Sequence, residues 1–181
     1  ELVNGIQINT DKKILEDFQK SAGFDYTKDQ KRSIKEIFAD LSSGRVMDRL
    51  LSGDVGFGKT EVAMNAILAV ILDGFQAIFV CPTTLLATQH YHSMQKRFSE
   101  FGISIAKLDG KTSAKEKTHI KKGLASGEIK LVIGTHSLLE IQTDNLALVI
   151  IDEEHKFGVK QKEKLKHLRE DVHIFSMSAT P

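Results

Sequence analysis

The sequence contains a single cysteine, Cys81, and therefore cannot form an intramolecular disulfide bond. This scarcity is typical of proteins that work in a reducing compartment. An excess of one charge is also lacking, because 25 lysines and arginines face 24 aspartates and glutamates, for a formal net charge of +1. Any contact with nucleic acid must therefore come from local patches rather than from the field of the whole molecule.

Long hydrophobic runs are missing as well. The most apolar window, residues 62–80, is broken by Asp73 and Gly74, so it predicts a buried helix followed by a strand rather than a membrane span. No charged and then apolar leader opens the chain, and we expect a cytoplasmic location. The first residue is not Met and the last residues follow a strand-like run, a pattern that favours a piece of a longer protein.

Helix-like and strand-like segments alternate from residue 27 onward. Helices are predicted at 27–41, 60–72, 84–101, 113–125 and 161–169, and strands at 49–52, 77–81, 103–108, 130–133, 146–151 and 173–177. This alternation implies right-handed crossovers and an α/β, three-layer fold with a mainly parallel central sheet. We predict one domain over residues 27–181, preceded by an N-terminal arm or linker over residues 1–26 with a short helix near 12–19.

Residues 53–60 match the phosphate-binding pattern G-x-x-x-x-G-K-S/T in full, between a predicted strand and a predicted helix. Glycines let successive backbone N–H groups face the phosphates, and the helix N-terminus adds its positive end. Lys59 is expected to reach the β- and γ-phosphates of ATP, and the Thr60 hydroxyl to bind Mg²⁺. The predicted nucleotide-binding residues of this loop are Gly53, Asp54, Val55, Gly56, Phe57, Gly58, Lys59 and Thr60.

The second half of such a site is a carboxylate at the end of a buried strand. Residues 148–151 are apolar and are followed by Asp152 and Glu153. An apolar strand that leaves the core through two acids is common, but beside a phosphate loop it indicates a nucleotide hydrolase. We predict that Asp152 holds Mg²⁺ and that Glu153 orients or deprotonates the attacking water, which makes Lys59, Asp152 and Glu153 the catalytic candidates.

Two further patterns place the chain among nucleotide hydrolases. Residues 152–155 form a DExH box, and residues 178–180 read Ser-Ala-Thr after a strand, an element of superfamily 2 helicases. In such helicases these side chains couple the nucleotide site to the nucleic-acid track, so His155, Ser178 and Thr180 are the coupling candidates. The guanine-specific N-K-x-D and the transporter sequence L-S-G-G-Q are absent, which argues against a GTPase and a transporter ATPase.

Gln30 has two interpretations. Thr27 and Gln30 have the spacing of a capping box, in which the glutamine folds back on the start of its own helix. A glutamine just before the first helix also resembles the adenine-reading residue of these helicases. We favour the adenine contact, with Phe24 as an apolar wall beside it.

Basic stretches at residues 111–122 and 156–169 are more typical of solvated helix faces than of DNA sites. The better candidates for DNA contact are hydroxyl, imidazole and backbone N–H groups at helix starts. Such groups hold phosphates without reading the base sequence. They belong to Thr83, Thr84, Thr135 and His136.

Several segments together resemble the transcription-repair coupling factor family, and they are residues 53–64, 82–91, 113–116, 134–136 and 152–159. RecG-type helicases are the nearest relatives, but they usually carry Ser, Glu and Gln where this chain has Phe57, Thr84 and Glu154. The chain departs from the coupling-factor pattern at Lys28, at Lys156 and at 109–111, where Asp-Gly-Lys leans toward the RecG type.

The resemblance implies a RecA-like P-loop lobe of an ATP-driven translocase on double-stranded DNA, an ATPase of class EC 3.6.4.-, in transcription-coupled repair. RNA polymerase and excision-repair proteins would be partners through modules outside this chain. We expect the lobe alone to be almost inactive, since none of its arginines lies in a finger-like motif; they are Arg32, Arg45, Arg49, Arg97 and Arg169. The alternatives are a RecG-type lobe and a nucleotide-switched regulatory module. A P-loop kinase should show an acceptor site and a lid, and the sequence has neither signature.

Overall fold

The structure is a computed structural model that describes residues 4–53, 57–141, 143–165, 168 and 170–179. The α-helices in these ranges are α1 (Lys13–Lys20), α2 (Lys28–Ser42), α3 (Phe57–Leu72), α4 (Thr84–Ser99), α5 (Ala114–Ser126) and α6 (Val159–Leu165). The strands are β1 (Asp48–Gly53), β2 (Gln76–Val80), β3 (Ile105–Leu108), β4 (Leu131–Gly134), β5 (Leu146–Ile151) and β6 (His173–Ala179). Short 3₁₀ helices cover His136–Glu140 and Glu154–Lys156. No helix in the described ranges is long and apolar enough to cross a membrane.

The strands form one sheet in the order β1-β6-β5-β2-β4-β3, and every neighbouring pair is parallel. The central strands β2, β4 and β5 are buried along their whole length, as expected when helices cover both faces. The predicted α/β fold with a parallel central sheet is therefore confirmed. Because all strands point the same way, their carboxyl ends share one edge of the sheet, and ligands bind at that edge in open α/β sheets.

Two apolar layers lie on opposite faces of the sheet. Along β2, Phe79 belongs to the layer that packs against α1–α4, whereas Ile78 and Val80 belong to the layer under α5. This division follows from the alternation of side chains along a strand. The same alternation places Cys81 with Phe79, in the layer that holds α3 and α4.

The structure differs from the predicted elements mainly at their ends. α3 begins at Phe57 rather than at residue 60, and α6 spans Val159–Leu165 rather than 161–169. Beyond α6, the backbone N–H of Leu168 donates to the carbonyl of Leu165, a tighter turn than an α-helix makes. The two 3₁₀ helices were not predicted, because a turn or two of helix leaves no apolar periodicity to detect.

The N-terminal segment packs into the same core. Ile8 and Phe18 are completely buried, and the ring of Phe18 stacks on Phe98 of α4 with 5.5 Å between centroids. The predicted division of the chain near residue 26 stays a prediction. The apolar contacts nevertheless join this segment to the helical layer over the sheet.

His173, at the start of β6, ties the N-terminal segment to the sheet. Its Nδ1 accepts from the backbone N–H of Met47 at 2.9 Å, and its Nε2 donates to the carbonyl of Ile6 at 2.6 Å. The side chain is completely buried, and this burial lowers the pKa of His173 below its ordinary value. Protonation of Nδ1 would remove the acceptor that Met47 uses.

We predict that His173 makes the fold sensitive to acid. Its pKa is lower in the folded than in the unfolded chain, so the unfolded chain binds more protons and stability falls as the pH drops below about 6.5. Urea unfolding between about pH 7 and pH 5 should show a smaller pH dependence in His173→Gln than in the wild type. The exposed His119 of α5 gives the control His119→Gln. An unchanged slope in His173→Gln would contradict this assignment.

Candidate nucleotide-binding site

A cavity of about 490 Å³ opens at the carboxyl edge of the sheet, where β1, β6 and β5 end side by side. It receives side chains from the first turn of α3, from α4 and from the ends of β5 and β6. Among its lining residues are Phe24, Lys59, Thr60, His90, Asp152, Glu153 and Ser178. Five of these residues were predicted to serve a nucleotide, and the fold brings them to one cavity from distant positions along the chain; they are Phe24, Lys59, Thr60, Asp152 and Glu153.

Lys59 lies in the first turn of α3, and its Nζ donates to the carbonyl oxygen of Ser178 at 2.8 Å. Gly53 ends β1 and is aligned with Ala179 of β6, so the phosphate loop leaves the sheet beside the Ser-Ala-Thr element. The loop residues Asp54, Val55 and Gly56 lie outside the described residues. The described part places a lysine ammonium and the start of a helix at the cavity, which is a suitable environment for phosphate.

Asp152 follows β5 directly, and its backbone N–H donates to the carbonyl of Val80 at 2.8 Å. Its Oδ2 accepts a hydrogen bond from Nε2 of His90 at 2.8 Å. The His90 ring packs against Phe79, with 4.9 Å between the ring centroids. Sequence reasoning assigned no role to His90. A signal was present, because His90 has helical spacing from the buried residues Ala87 and Met94 of α4 and is a polar group on that buried side.

Glu153 adopts a left-handed backbone conformation, with φ 51° and ψ 53°. For a residue other than glycine this costs on the order of 1–2 kcal/mol, and such strain gathers at functional sites. Its Oε1 lies 3.5 Å from Nζ of Lys156. Its Oε2 is buried and has no hydrogen-bond partner among the described residues. A buried carboxylate oxygen at the wall of the cavity is suited to accept a hydrogen bond from water or ligand.

Two of the predicted coupling residues contact each other. His155 Nδ1 and Ser178 Oγ are hydrogen-bonded at 3.1 Å, while the carbonyl of Ser178 accepts from Lys59. Ser178 thus connects the DExH histidine to the phosphate-loop lysine. Thr180, the third coupling candidate, lies outside the described residues. The contacts place the two described candidates together, and their coupling role stays a prediction.

Gln30 forms the capping box. Its backbone N–H donates to Thr27 Oγ1 at 3.1 Å, and its Oε1 accepts from the backbone N–H of Thr27 at 2.8 Å. Its amide nitrogen faces the start of α3, since a Cβ built on Gly58 would lie 3.5 Å from Nε2. Half-exposed Phe24 lines the same cavity. The cap uses one of the two lone pairs of Oε1, so this oxygen can still accept a second hydrogen bond. The adenine contact therefore stays a prediction.

A polar network that the sequence-based predictions did not include forms part of the cavity wall next to Thr60. Glu61 accepts from Arg97 through Oε1 and from the Tyr26 hydroxyl through Oε2. Arg97 also donates to the carbonyl of Phe18 at 3.1 Å and lies over its ring, 4.2 Å from the centroid. Burial and the bond to Glu61 raise the pKa of Tyr26. Burial acts to lower the pKa of Arg97, but Glu61 outweighs it and the net shift is upward.

The four candidates for DNA contact lie farther along the same edge. Thr83 caps α4 by accepting from the backbone N–H of Leu86 at 3.2 Å, and Thr84 begins that helix. Thr135 and the exposed His136 follow β4, the neighbour of β2 in the sheet. The nucleotide candidates lie at the ends of β1, β6 and β5, so the two sets occupy adjoining parts of one edge.

Glycine is required just before Thr135. A Cβ on Gly134 would lie 1.8 Å from the carbonyl oxygen of Leu108 at the end of β3. A larger residue would therefore push β3 and β4 apart where the candidate DNA residues begin.

The sequence pattern of the DEAD/DEAH box helicase family matches residues 27–181. The chain belongs to this family. The match begins at the residue that caps α2, so it covers the sheet and the helices of the predicted domain.

Individual relatives show which members of this family the chain is similar to. The transcription-repair-coupling factor of Helicobacter pylori strain J99 is 54% identical over 180 residues, which cover 99% of this chain and 18% of that protein. The RecG DNA helicase of Thermotoga maritima is 49% identical over 179 residues, 98% of this chain and 23% of that protein. A solved structure of RecG bound to a three-way DNA junction matches 98% of this chain and 24% of its own, with a TM-score of 0.86 at 45% identity. The predicted resemblance to coupling factors, with RecG as next relative, is confirmed.

Proposed function

We propose that this chain is the ATP-binding lobe of a translocase that moves on double-stranded DNA in transcription-coupled repair. The observation that carries the proposal is the convergence of Lys59, Asp152 and Glu153 on one cavity at the carboxyl edge of the sheet. Membership of the helicase family and the identity to coupling factors support it. The chain spans less than a fifth of the coupling factor that it matches, so the activity of the whole protein is part of the proposal.

The residues at the cavity fit ATP and Mg²⁺. The Thr60 hydroxyl and the Asp152 carboxylate are the oxygen donors that Mg²⁺ prefers, and Lys59 is a cation suited to phosphate oxygens. Bound ATP supplies the phosphoryl group whose transfer to water releases the free energy for movement. Glu153 accepts the proton of that water through its buried Oε2, which has no partner among the described side chains.

Movement requires that the nucleotide site and the DNA track communicate. Ser178 is hydrogen-bonded to both Lys59 and His155, so a shift of the lysine toward a phosphate alters the contacts of the DExH histidine. DNA lies along the ends of β2 and β4, with its phosphates held by Thr83, Thr84, Thr135 and His136. Contacts of this kind suit a motor that tracks any base sequence.

RNA polymerase and excision-repair proteins are proposed as partners of the whole protein, through parts outside this chain. Bacterial DNA lies in the cytoplasm, so the proposal includes a cytoplasmic location. A RecG-like role on branched DNA is the second candidate, favoured by the solved RecG structure at 45% identity, which contains a three-way junction. Measurements of ATP hydrolysis discriminate between the two candidates. Stronger stimulation by a stalled transcription complex favours transcription-coupled repair, and stronger stimulation by a three-way junction favours the RecG-like role.

Lys59→Ala should abolish most ATP binding by this chain, because Lys59 is the cation in the first turn of α3 at the cavity. Calorimetric titration with ATP and Mg²⁺ measures the effect. Lys35→Ala, which removes an exposed lysine from α2, is the matched control and should bind as the wild type does. Equal ATP affinity in the wild type and Lys59→Ala would remove the phosphate-loop assignment.

The wild type, Lys59→Ala and a further variant, His136→Ala, test the DNA side of the proposal. Binding to duplex DNA should be weak and independent of base sequence, with a shallow decrease as salt rises, since few phosphates are neutralised by a chain of net charge +1. Lys59→Ala should retain this binding, whereas His136→Ala should weaken it. A footprint with a preferred base sequence would contradict a motor that tracks the backbone.

A further inference from the structure

Three side chains that can bind a metal meet beneath the cavity. One ligand atom each from Cys81, His90 and Asp152 lies within 4.8 Å of the other two. They come from separate parts of the fold, namely the end of β2, the second turn of α4 and the end of β5. The elements that hold them are packed in the core, so the cluster is fixed by the fold rather than by a flexible surface segment.

The three groups offer sulfur, nitrogen and oxygen, the donor set that Zn²⁺ takes in proteins. Bond lengths of about 2.0–2.3 Å place the ligand atoms of a tetrahedral zinc site roughly 3.5 Å apart. His90 Nε2 and Asp152 Oδ2 are now 2.8 Å apart and would separate slightly. The Cys81 sulfur lies within 4.8 Å of a ligand atom of each, so it would need to move closer by at most about an ångström. We propose that Cys81, His90 and Asp152 form a Zn²⁺-binding site.

The site has room for a further ligand. His90, Asp152 and Glu153 line the 490 Å³ cavity, which gives an ion or a water molecule access from solvent. Glu153 Oε2 is buried without a hydrogen-bond partner among the described atoms. Burial, together with the charges of Asp152 and Glu153, raises the pKa of the Cys81 thiol. The fourth position of the zinc site therefore goes to Glu153 or to water. The thiol of Cys81 releases its proton to solvent as the zinc–sulfur bond forms.

Ligand softness separates this site from the one for Mg²⁺. Mg²⁺ keeps to oxygen ligands and retains waters, whereas thiolate and imidazole favour Zn²⁺. Both ions nevertheless need the Asp152 carboxylate, so Zn²⁺ at this position excludes the productive Mg²⁺ complex of ATP. This competition rests on the proposed function, whereas Zn²⁺ binding itself does not.

The test measures Zn²⁺ binding by the chain of 181 residues, by titration against a chromophoric chelator. A parallel Co²⁺ titration reports a thiolate ligand through its charge-transfer band. Cys81→Ala and His90→Gln each remove one ligand, and circular dichroism verifies that both fold. His92→Gln, which changes an exposed histidine on the same helix, is the matched control.

The wild type and His92→Gln should bind one Zn²⁺ per chain, and Co²⁺ should show the thiolate band. Cys81→Ala and His90→Gln should each lose at least roughly tenfold in Zn²⁺ affinity and, for Cys81→Ala, the whole band. Wild-type affinity in folded Cys81→Ala, or no stoichiometric Zn²⁺ binding by the wild type, would overturn the proposal and leave Cys81 as a core residue. ATP titration of the zinc-free wild type tests the ATP site by itself. The absence of a zinc site and the absence of an ATP site are therefore distinguishable.

Discussion

Glu153→Gln should lower the rate of ATP hydrolysis by roughly 10²-fold or more while ATP binding remains close to normal. The carboxylate is proposed to take the proton of the attacking water, a role played only in the transition state. A glutamine keeps the size of the side chain but cannot accept that proton. Single-turnover hydrolysis of radiolabelled ATP is the suitable measurement, because the chain alone should turn over slowly.

The neighbouring acid provides the control. Glu154→Gln removes the same charge one residue later and should leave the rate within a few-fold of the wild type. A near-normal rate in Glu153→Gln would move the base to another residue. Equal losses in both variants would point to the negative charge of the segment rather than to a proton acceptor.

We expect slow hydrolysis by the chain alone, because none of its described arginines is free to contact the γ-phosphate. Arg97 lines the cavity, but it is tied to Glu61 and to the carbonyl of Phe18. Arg49 of β1 is paired with Glu36 and Asp40 of α2. An arginine that neutralises charge on the γ-phosphate contributes on the order of 10³–10⁵ in rate, and the described arginines are engaged elsewhere or exposed.

Arg97→Met should destabilise the fold by about 3–5 kcal/mol, because it leaves the Glu61 carboxylate buried without its cation. Glu61 is only 3% exposed, so its carboxylate depends on Arg97 and on the Tyr26 hydroxyl for its partners. Methionine retains an apolar stem over the Phe18 ring, which limits the loss from packing. Urea unfolding measures the change in the free energy of unfolding.

An exposed ion pair supplies the comparison. Arg32 and Asp29 are 2.9 Å apart on α2, but their side chains are 69% and 84% exposed. Arg32→Met should therefore cost less than about 1 kcal/mol. The double variant Arg97→Met, Glu61→Leu should recover much of the loss, since it removes both buried charges. A loss below 1 kcal/mol in Arg97→Met, or no recovery in the double variant, would show that the pair is not a buried support of the fold.

Much of the site was predictable because its parts are local. The phosphate loop is a continuous stretch of eight residues between a strand and a helix, and the Asp152–Glu153 pair directly follows an apolar strand. Each pattern depends on neighbours in the chain, and a parallel sheet necessarily brings strand ends to one edge. The contact between His155 and Ser178 joins two residues to which the helicase resemblance gave a coupling role, and that role stays a prediction.

The sequence by itself determined the alternation of strands and helices, the phosphate loop and the family, because periodicity and short motifs are properties of consecutive residues. The tertiary structure decided which distant side chains meet. The pairing of Glu61 with Arg97, of His90 with Asp152 and the approach of Cys81 depend on how α3 and α4 pack against the sheet. The strand order decided where Asp152 lies relative to the other candidates. Because β5 lies between β6 and β2, Asp152 at its end lies between Lys59 and the candidate DNA residues.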